Sequence, residues 1–133
     1  MEDVFVARLM STDLHTVTPD TLVEDAAAIL LDNQISSVIV VDEDGRLEGI
    51  LTSTDFVRIV AKSQPKAETT VQRYMTADVI TASAQDSIRD VADTMMEHGI
   101  HHIPVVDDEG GLIGIITATD MAGYFSHGQA PTG

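Results

Sequence analysis

LMSTDLHTVTPDTLVEDAAAILLDNQISSVIVVDEDGRLEGILTSTDF, Leu9 to Phe56, aligns without a gap on YMTADVITASAQDSIRDVADTMMEHGIHHIPVVDDEGGLIGIITATDM, Tyr74 to Met121. Met10/Met75, Asp13/Asp78, Thr16/Thr81, Asp25/Asp90, Ile35/Ile100 and Asp42/Asp107 are identical pairs, and Gly45/Gly110, Gly49/Gly114, Thr52/Thr117, Thr54/Thr119 and Asp55/Asp120 follow. Gly, Thr and Asp recurring at this many fixed spacings mark an internal repeat, which decides the fold before any single element does. Each copy opens on a short extended piece (His15 to Thr18; Ile80 to Ser83). An amphipathic helix follows, with Leu22, Val23, Ala26, Ala27, Leu30 and Leu31 as its apolar set in the first copy. Ile88, Val91, Ala92, Met95 and Met96 serve in the second, again at the spacing that puts one stripe on a core.

The β-branched runs Val38 to Val41 and Ile103 to Val106 lead into acidic turns, DEDG and DDEGG, whose glycines supply positive φ. Leu47 to Leu51 and Leu112 to Ile116 are the return strands. A second helix opens at Thr54 and at Thr119. The unit is therefore β-α-β-β-α. At about 50 residues it is too small to cover both faces of its own sheet. The chain of 133 residues is expected to be an α/β (α+β) fold in which two such units pack sheet to sheet about a pseudo-two-fold axis. Equivalent residues would then face each other across a cleft. The repeats divide the chain into 1–63 and 64–133, with a polar linker at about 61–70 and a disordered tail at 126–133. His15, His98 and His127 read as surface residues.

Seven Lys and Arg against 22 Asp and Glu give a formal charge of −15. That excludes a non-specific nucleic-acid binder, which needs clustered cations, and an anionic membrane surface. No Cys is present, so there is no disulfide, thiolate metal site or Cys nucleophile. The opening MEDVFVARLM lacks the order of a secretory signal, and no apolar run approaches the roughly 18 residues of a membrane span. A cytoplasmic protein is expected. Self-repulsion at this charge destabilises a compact state and salt relieves it. With only two Lys, the composition reads as adapted to high salt. The melting temperature is expected to fall in low-salt buffer; an unchanged value between low and molar salt would remove that reading.

Gly49-Ile-Leu-Thr52-Ser-Thr54-Asp55 and its twin Gly114 to Asp120 end a strand and begin a helix. Unpaired N–H groups there favour an anion, and the Thr52 and Thr117 hydroxyls can donate to phosphate oxygens. Asp55 and Asp120 are acceptors that suit a vicinal diol such as ribose. The glycines admit close approach of ligand or neighbouring backbone. The same Thr and Asp are also ordinary helix caps, so both readings stand. The acidic turns lack a twelve-residue calcium loop and read as solvated hairpins. No nucleophile triad, HExxH or phosphate-loop motif occurs, so no catalysis and no metal are expected.

The strings GILTSTD, GIITATD, ISSVIVVDEDG, IHHIPVVDDEGG and TVTPD resemble those of a tandem pair of CBS domains, over nearly the whole chain. The resemblance implies a stand-alone sensor that binds adenosine ligands (AMP, ADP, ATP, S-adenosylmethionine or NADH) in the cleft, with no cofactor required. It implies a regulated partner on another chain and a homodimer forming a four-unit disc. Thr16, Val17, Thr81 and Ala82 would meet the adenine, with Ile39 and Pro104 as apolar walls. Ser36 and Ser37 in one copy, and His101 and His102 in the other, would lie near the phosphates, so the two clefts should differ in affinity. An oligomerisation scaffold with empty clefts is the alternative, using Phe56-Val57-Ile59-Val60 and Met121-Tyr124-Phe125 as surfaces.

Overall fold

The computed structural model describes residues 4–62 and 69–128. In chain order the elements are α1 (Val6–Leu9), β1 (Thr16–Val17), α2 (Val23–Asn33), β2 (Ser37–Val41), β3 (Leu47–Thr52), α3 (Ser53–Lys62), α4 (Val71–Tyr74), α5 (Ile88–His98), β4 (His102–Val106), β5 (Leu112–Thr117) and α6 (Ala118–Gly123), then a π-helical turn (Tyr124–Gly128). The fold is mixed α+β with two small sheets. The chain forms two compact units. One is the contiguous stretch His15–Val79; the other joins the described parts of Met1–Leu14 and Ile80–Gly133.

In the contiguous unit the strand order is β1-β2-β3. β1 runs parallel to β2 with Thr16 opposite Ile39, and β2 runs antiparallel to β3 from Ser37/Thr52 to Val41/Leu47. Alternation sends Val38 and Val40 into one core with Val17, Val23, Ala26, Leu30, Leu51, Ile59 and Val71. Ile39 and Ile50, paired with each other, take the other face and are buried too, which is why β2 reads as an unbroken apolar run. Gly45 and Gly110 sit at φ 80 and 86 in the hairpin turns, as the DEDG and DDEGG strings require.

Helix α2 ends on Gln34, at φ 54, where its equivalent after α5 is Gly99 at φ 64. The left-handed region costs a residue with a Cβ about 1–2 kcal/mol, more than the entropy glycine adds to the unfolded chain. Gln34→Gly is therefore expected to raise stability by about 0.5–1 kcal/mol, read as a higher urea midpoint at unchanged m value.

The second unit holds the β4–β5 hairpin, paired from His102/Thr117 to Val106/Leu112. Its core is Val6, Ala82, Ile88, Val91, Met95, Ile103, Val105, Ile116 and Met121. The extended piece at 80–83 is reduced to one parallel bridge, Ala82 with Val105. The compact units are cut differently from the repeat boundary at 63/64. The leading segment of the first repeat completes the second: the N–H groups of Val6 and Ala7 donate to the carbonyls of Asp86 (2.8 Å) and Ala84 (2.9 Å), and Ser11 exchanges two bonds with Ile115 (2.8 and 3.0 Å). The leading segment of the second repeat completes the first, through Val71 N–H to Thr21 O (2.8 Å) and a reciprocal pair between Thr76 and Ile50 (2.9 and 3.0 Å). Each segment satisfies an open strand edge and orphan donors at a helix start, which the repeat alone leaves unpaired.

Several expectations are corrected. Leu31 and Met96 lie at the margin of their helix stripes and are 78% and 82% exposed. Ile59 and Met121 are core residues, so only Val57, Val60 and Phe125 of the anticipated interaction surfaces are exposed. The second helices begin at Ser53 and Ala118, one residue early. Ala61 and Lys62 close α3, and Ser126 to Gly128 belong to the π-helical turn. The rest of the expected tail, 129–133, and linker residues 63–68 lie outside the described residues, as does the His127 side chain. His15 is half-buried. Among the described residues no helix is long and apolar enough to cross a membrane.

Candidate functional site

Thr52 closes β3 and Ser53 opens α3, so the strand-to-helix junction sets the first groups of the site. The Thr52 N–H and hydroxyl donate to Asp55 Oδ2 at 2.8 and 3.1 Å, and the Asp55 N–H donates to Thr52 Oγ1 at 3.4 Å. In the second repeat the Thr117 N–H donates to Asp120 Oδ2 at 2.9 Å and the Asp120 N–H to Thr117 Oγ1 at 3.1 Å. Both junctions are thus reciprocal capping boxes, and the structural reading of these residues holds in each copy. In each box the carboxylate uses Oδ2 and leaves Oδ1 outside. The Asp55 Oδ1 lies 3.6 Å from Arg58 Nη1. The guanidinium is largely exposed, so that pair adds little to stability. The equivalent of Arg58 in the second repeat is Gly123.

The strand across from each box carries the pair that differs between repeats. Ser37 is opposite Thr52, and the Ser53 N–H and hydroxyl donate to Ser36 O at 2.9 and 3.2 Å. His102 is opposite Thr117, and the Ala118 N–H donates to His101 O at 3.0 Å. The two-residue period puts Ser37, Ile39, Ile50 and Thr52 on one face of the first sheet. His102, Pro104, Ile115 and Thr117 share the matching face of the second. Thr16 joins the first group beside Ile39. Ala82 reaches the second by main chain only, its N–H donating to Pro104 O at 3.0 Å. The Val17 and Ala82 side chains are in the cores, while those of Thr54, Thr119 and Thr81 are exposed.

The close approach expected at Gly49 and Gly114 is made by the chain itself. A Cβ on Gly49 would lie 2.7 Å from Thr76 O and 2.8 Å from Met75 Sδ; one on Gly114 would lie 2.8 Å from Met10 Sδ and 3.0 Å from Ser11 O. Sequence reasoning missed these partners and Arg58. The signal was available in the pairs Val6/Val71 and Arg8/Arg73, which extend the repeat ahead of Leu9, and in Arg58 standing one helical turn after Asp55.

Burial, with help from His101, pushes the His102 imidazole below its ordinary value, and Asp120 opposes the shift. The ring is therefore neutral where an unfolded chain's histidine, near 6.5, begins to take up a proton. Its contribution to stability is full above about pH 6.5 and is lost as pH falls through the lower folded value. His102→Gln is expected to flatten the acid limb of stability between pH 7 and 5, measured by urea midpoints. An acid limb identical in both proteins would assign the loss to other groups.

A sequence profile described as the CBS domain matches residues 6–62 and 71–127. An uncharacterised 17.7 kDa protein of Acidianus ambivalens is 30% identical over 117 residues, which cover 88% of this chain and 70% of that one. A homoserine O-acetyltransferase of Methanosalsum zhilinae is 35% identical over 121 residues, 91% of this chain but 24% of the enzyme. The chain thus spans about a quarter of the length of such enzyme relatives. Among solved structures, the CBS domain pair of protein MJ0100 in complex with 5′-methylthioadenosine and S-adenosyl-L-methionine superposes with a TM-score of 0.87 at 32% identity, covering 94% of this chain and 98% of that one. CBSX2 in complex with AMP gives 0.83 at 24% identity, covering 92% and 96%, and shows the shared fold.

Proposed function

The chain belongs to the CBS domain family as a tandem pair, and from that premise we propose that it is a regulatory module that binds adenosine ligands and acts on a separate partner protein. The observation that carries this is the duplicated box. Each repeat sets a carboxylate with one oxygen outside its cap beside a strand-end pair and an apolar strand position. Asp55 or Asp120 would take the ribose hydroxyls, while Thr52 with Ser36 and Ser37, or Thr117 with His101 and His102, would take the 5′ substituent. Ile39 and Pro104 have fully buried side chains, so they would line the base only after the groups that cover them move aside, with the main chain at Thr16, Val17, Thr81 and Ala82 reading its edge. Thr54 and Thr119 stand at the rim. The ligand complex of the MJ0100 pair supports an adenosine class that includes uncharged and sulfonium members. No catalytic role is assigned to any residue. The charge of −15 supports a cytoplasm of high salt as the setting.

A thermal-shift panel with 5′-methylthioadenosine, S-adenosylmethionine, AMP, ADP, ATP and NADH in molar salt tests this. A ligand at a hundred times its Kd adds about 2.7 kcal/mol. No shift with any of them favours the second reading, an assembly scaffold. That reading has one observation of its own: Leu31 and Met96 are equivalent positions and both exposed, and so are Val60 and Phe125. It and the sensor reading share the proposal of a homodimer, which sedimentation of the wild type and of Val60→Glu would check.

A further inference from the structure

The two repeats differ in kind of charge. Ser36 and Ser37 are uncharged hydroxyls, and Arg58 stands 3.6 Å from the Asp55 carboxylate of their box. In the second repeat the same strand positions hold His101 and His102, and Gly123 stands where the arginine would be. His102 and Pro104 lie on one face of β4, two residues and so about 7 Å apart, with Thr117 directly opposite His102 and Asp120 bonded to Thr117. A nucleoside with its ribose at the outer oxygen of Asp120 would carry its 5′ group toward His102, because Asp120 is bonded to the residue directly across from it.

We infer that the second repeat selects among adenosine ligands by the charge at their 5′ position, and that protonation of His102 tilts the choice toward phosphate, while the first repeat, with Ser37 in that place, has no such dependence. This rests on the adenosine-ligand reading of the site. Among the described residues, the titratable groups acting on His102 are His101 beside it, which opposes its charging, and Asp120 on α6, which favours it; Thr117 across the sheet is uncharged. A phosphate adds to the side of Asp120 and draws a proton onto the ring. An uncharged 5′ group leaves the ring neutral, and a sulfonium holds it so. The site becomes a proton-linked selector: acidification favours AMP over its uncharged analogue.

The test uses the full chain with adenosine and AMP as probes, by calorimetry at pH 8.0 and 6.5. The ratio of AMP to adenosine affinity is expected to rise at least about threefold on acidification in the wild type. It should rise no more than the phosphate's own titration allows in His101→Ser/His102→Ser, which installs the first repeat's residues. In the wild type alone, the NMR titration midpoint of the His102 ring is expected to move up with saturating AMP and to stay put with adenosine. Binding of AMP with an unmoved His102 midpoint, or with equal pH dependence in wild type and double variant, overturns the inference and leaves the ligand class intact. Failure of both probes to bind at either pH overturns the ligand reading, and this one with it.

Discussion

Replacing Asp120 with alanine is expected to weaken adenosine-ligand binding by roughly ten- to a hundredfold. The capping box commits Oδ2 of this carboxylate to the Thr117 N–H, so a ribose hydroxyl bound here would meet Oδ1. A hydroxyl bonded to a carboxylate contributes about 1.5–3 kcal/mol, and each 1.4 kcal/mol is tenfold in affinity. Removal of the cap also lowers stability, by about 0.5–2 kcal/mol, so affinities must be read by calorimetry well below melting. Asp120→Asn separates the two roles. An amide oxygen can still accept from Thr117 while presenting its NH2 outward, a donor where the diol needs an acceptor. Wild-type affinity in Asp120→Asn would reduce this residue to a cap. Asp55→Ala has the same sign and a smaller size, because Arg58 already draws on the Oδ1 of Asp55.

Gly49→Ala is expected to destabilise the protein by about 1–3 kcal/mol, a loss of several degrees in melting temperature. The new methyl group would stand 2.7 Å from Thr76 O. That carbonyl cannot move away cheaply, because Thr76 and Ile50 hold each other by two main-chain bonds of 2.9 and 3.0 Å. At Gly114 the nearest backbone atom is 3.0 Å from the added Cβ and the closest contact is the flexible end of Met10, so Gly114→Ala should cost less. Gly123, with nothing within 4 Å, is the control. Alanine there gains helix propensity, worth up to about 1 kcal/mol, and should be neutral or stabilising. The order Gly49, Gly114, Gly123 is the readout, and a Gly49 variant as stable as the wild type would remove the close-packing argument.

The repeat register, both hairpins and their glycine turns were legible because period-two burial and positive φ leave direct marks in sequence. Val38 to Val41 and Ile103 to Val106 are apolar throughout because both faces are buried. The helix stripes were legible to their margins, where Leu31 and Met96 fell on the wet side. The segments at 4–14 and 69–79 were not read, since a four-residue helix such as α1 or α4 is shorter than one helical hydrophobic period can reveal. Of the site, the Thr and Asp positions were visible from their repetition. Their caps were foreseen as an alternative; what sequence could not resolve is that each cap occupies one carboxylate oxygen and leaves the other. The contrast between Arg58 and the histidine pair needed the strand register that sets Thr52 against Ser37 and Thr117 against His102.

The exchange of the two leading segments also fixes an order of assembly. The unit from His15 to Val79 is one uninterrupted stretch and can close once its own last strand partner, Thr76, has been synthesised. The other unit must wait until Asp86 and Ile115 exist before Val6 and Ser11 have anywhere to dock. Closing that longer loop carries the larger chain-entropy penalty, though the penalty grows only slowly with length. The first repeat is then the early-forming body, and the second, which carries the histidines, is completed last by residues that were synthesised before it.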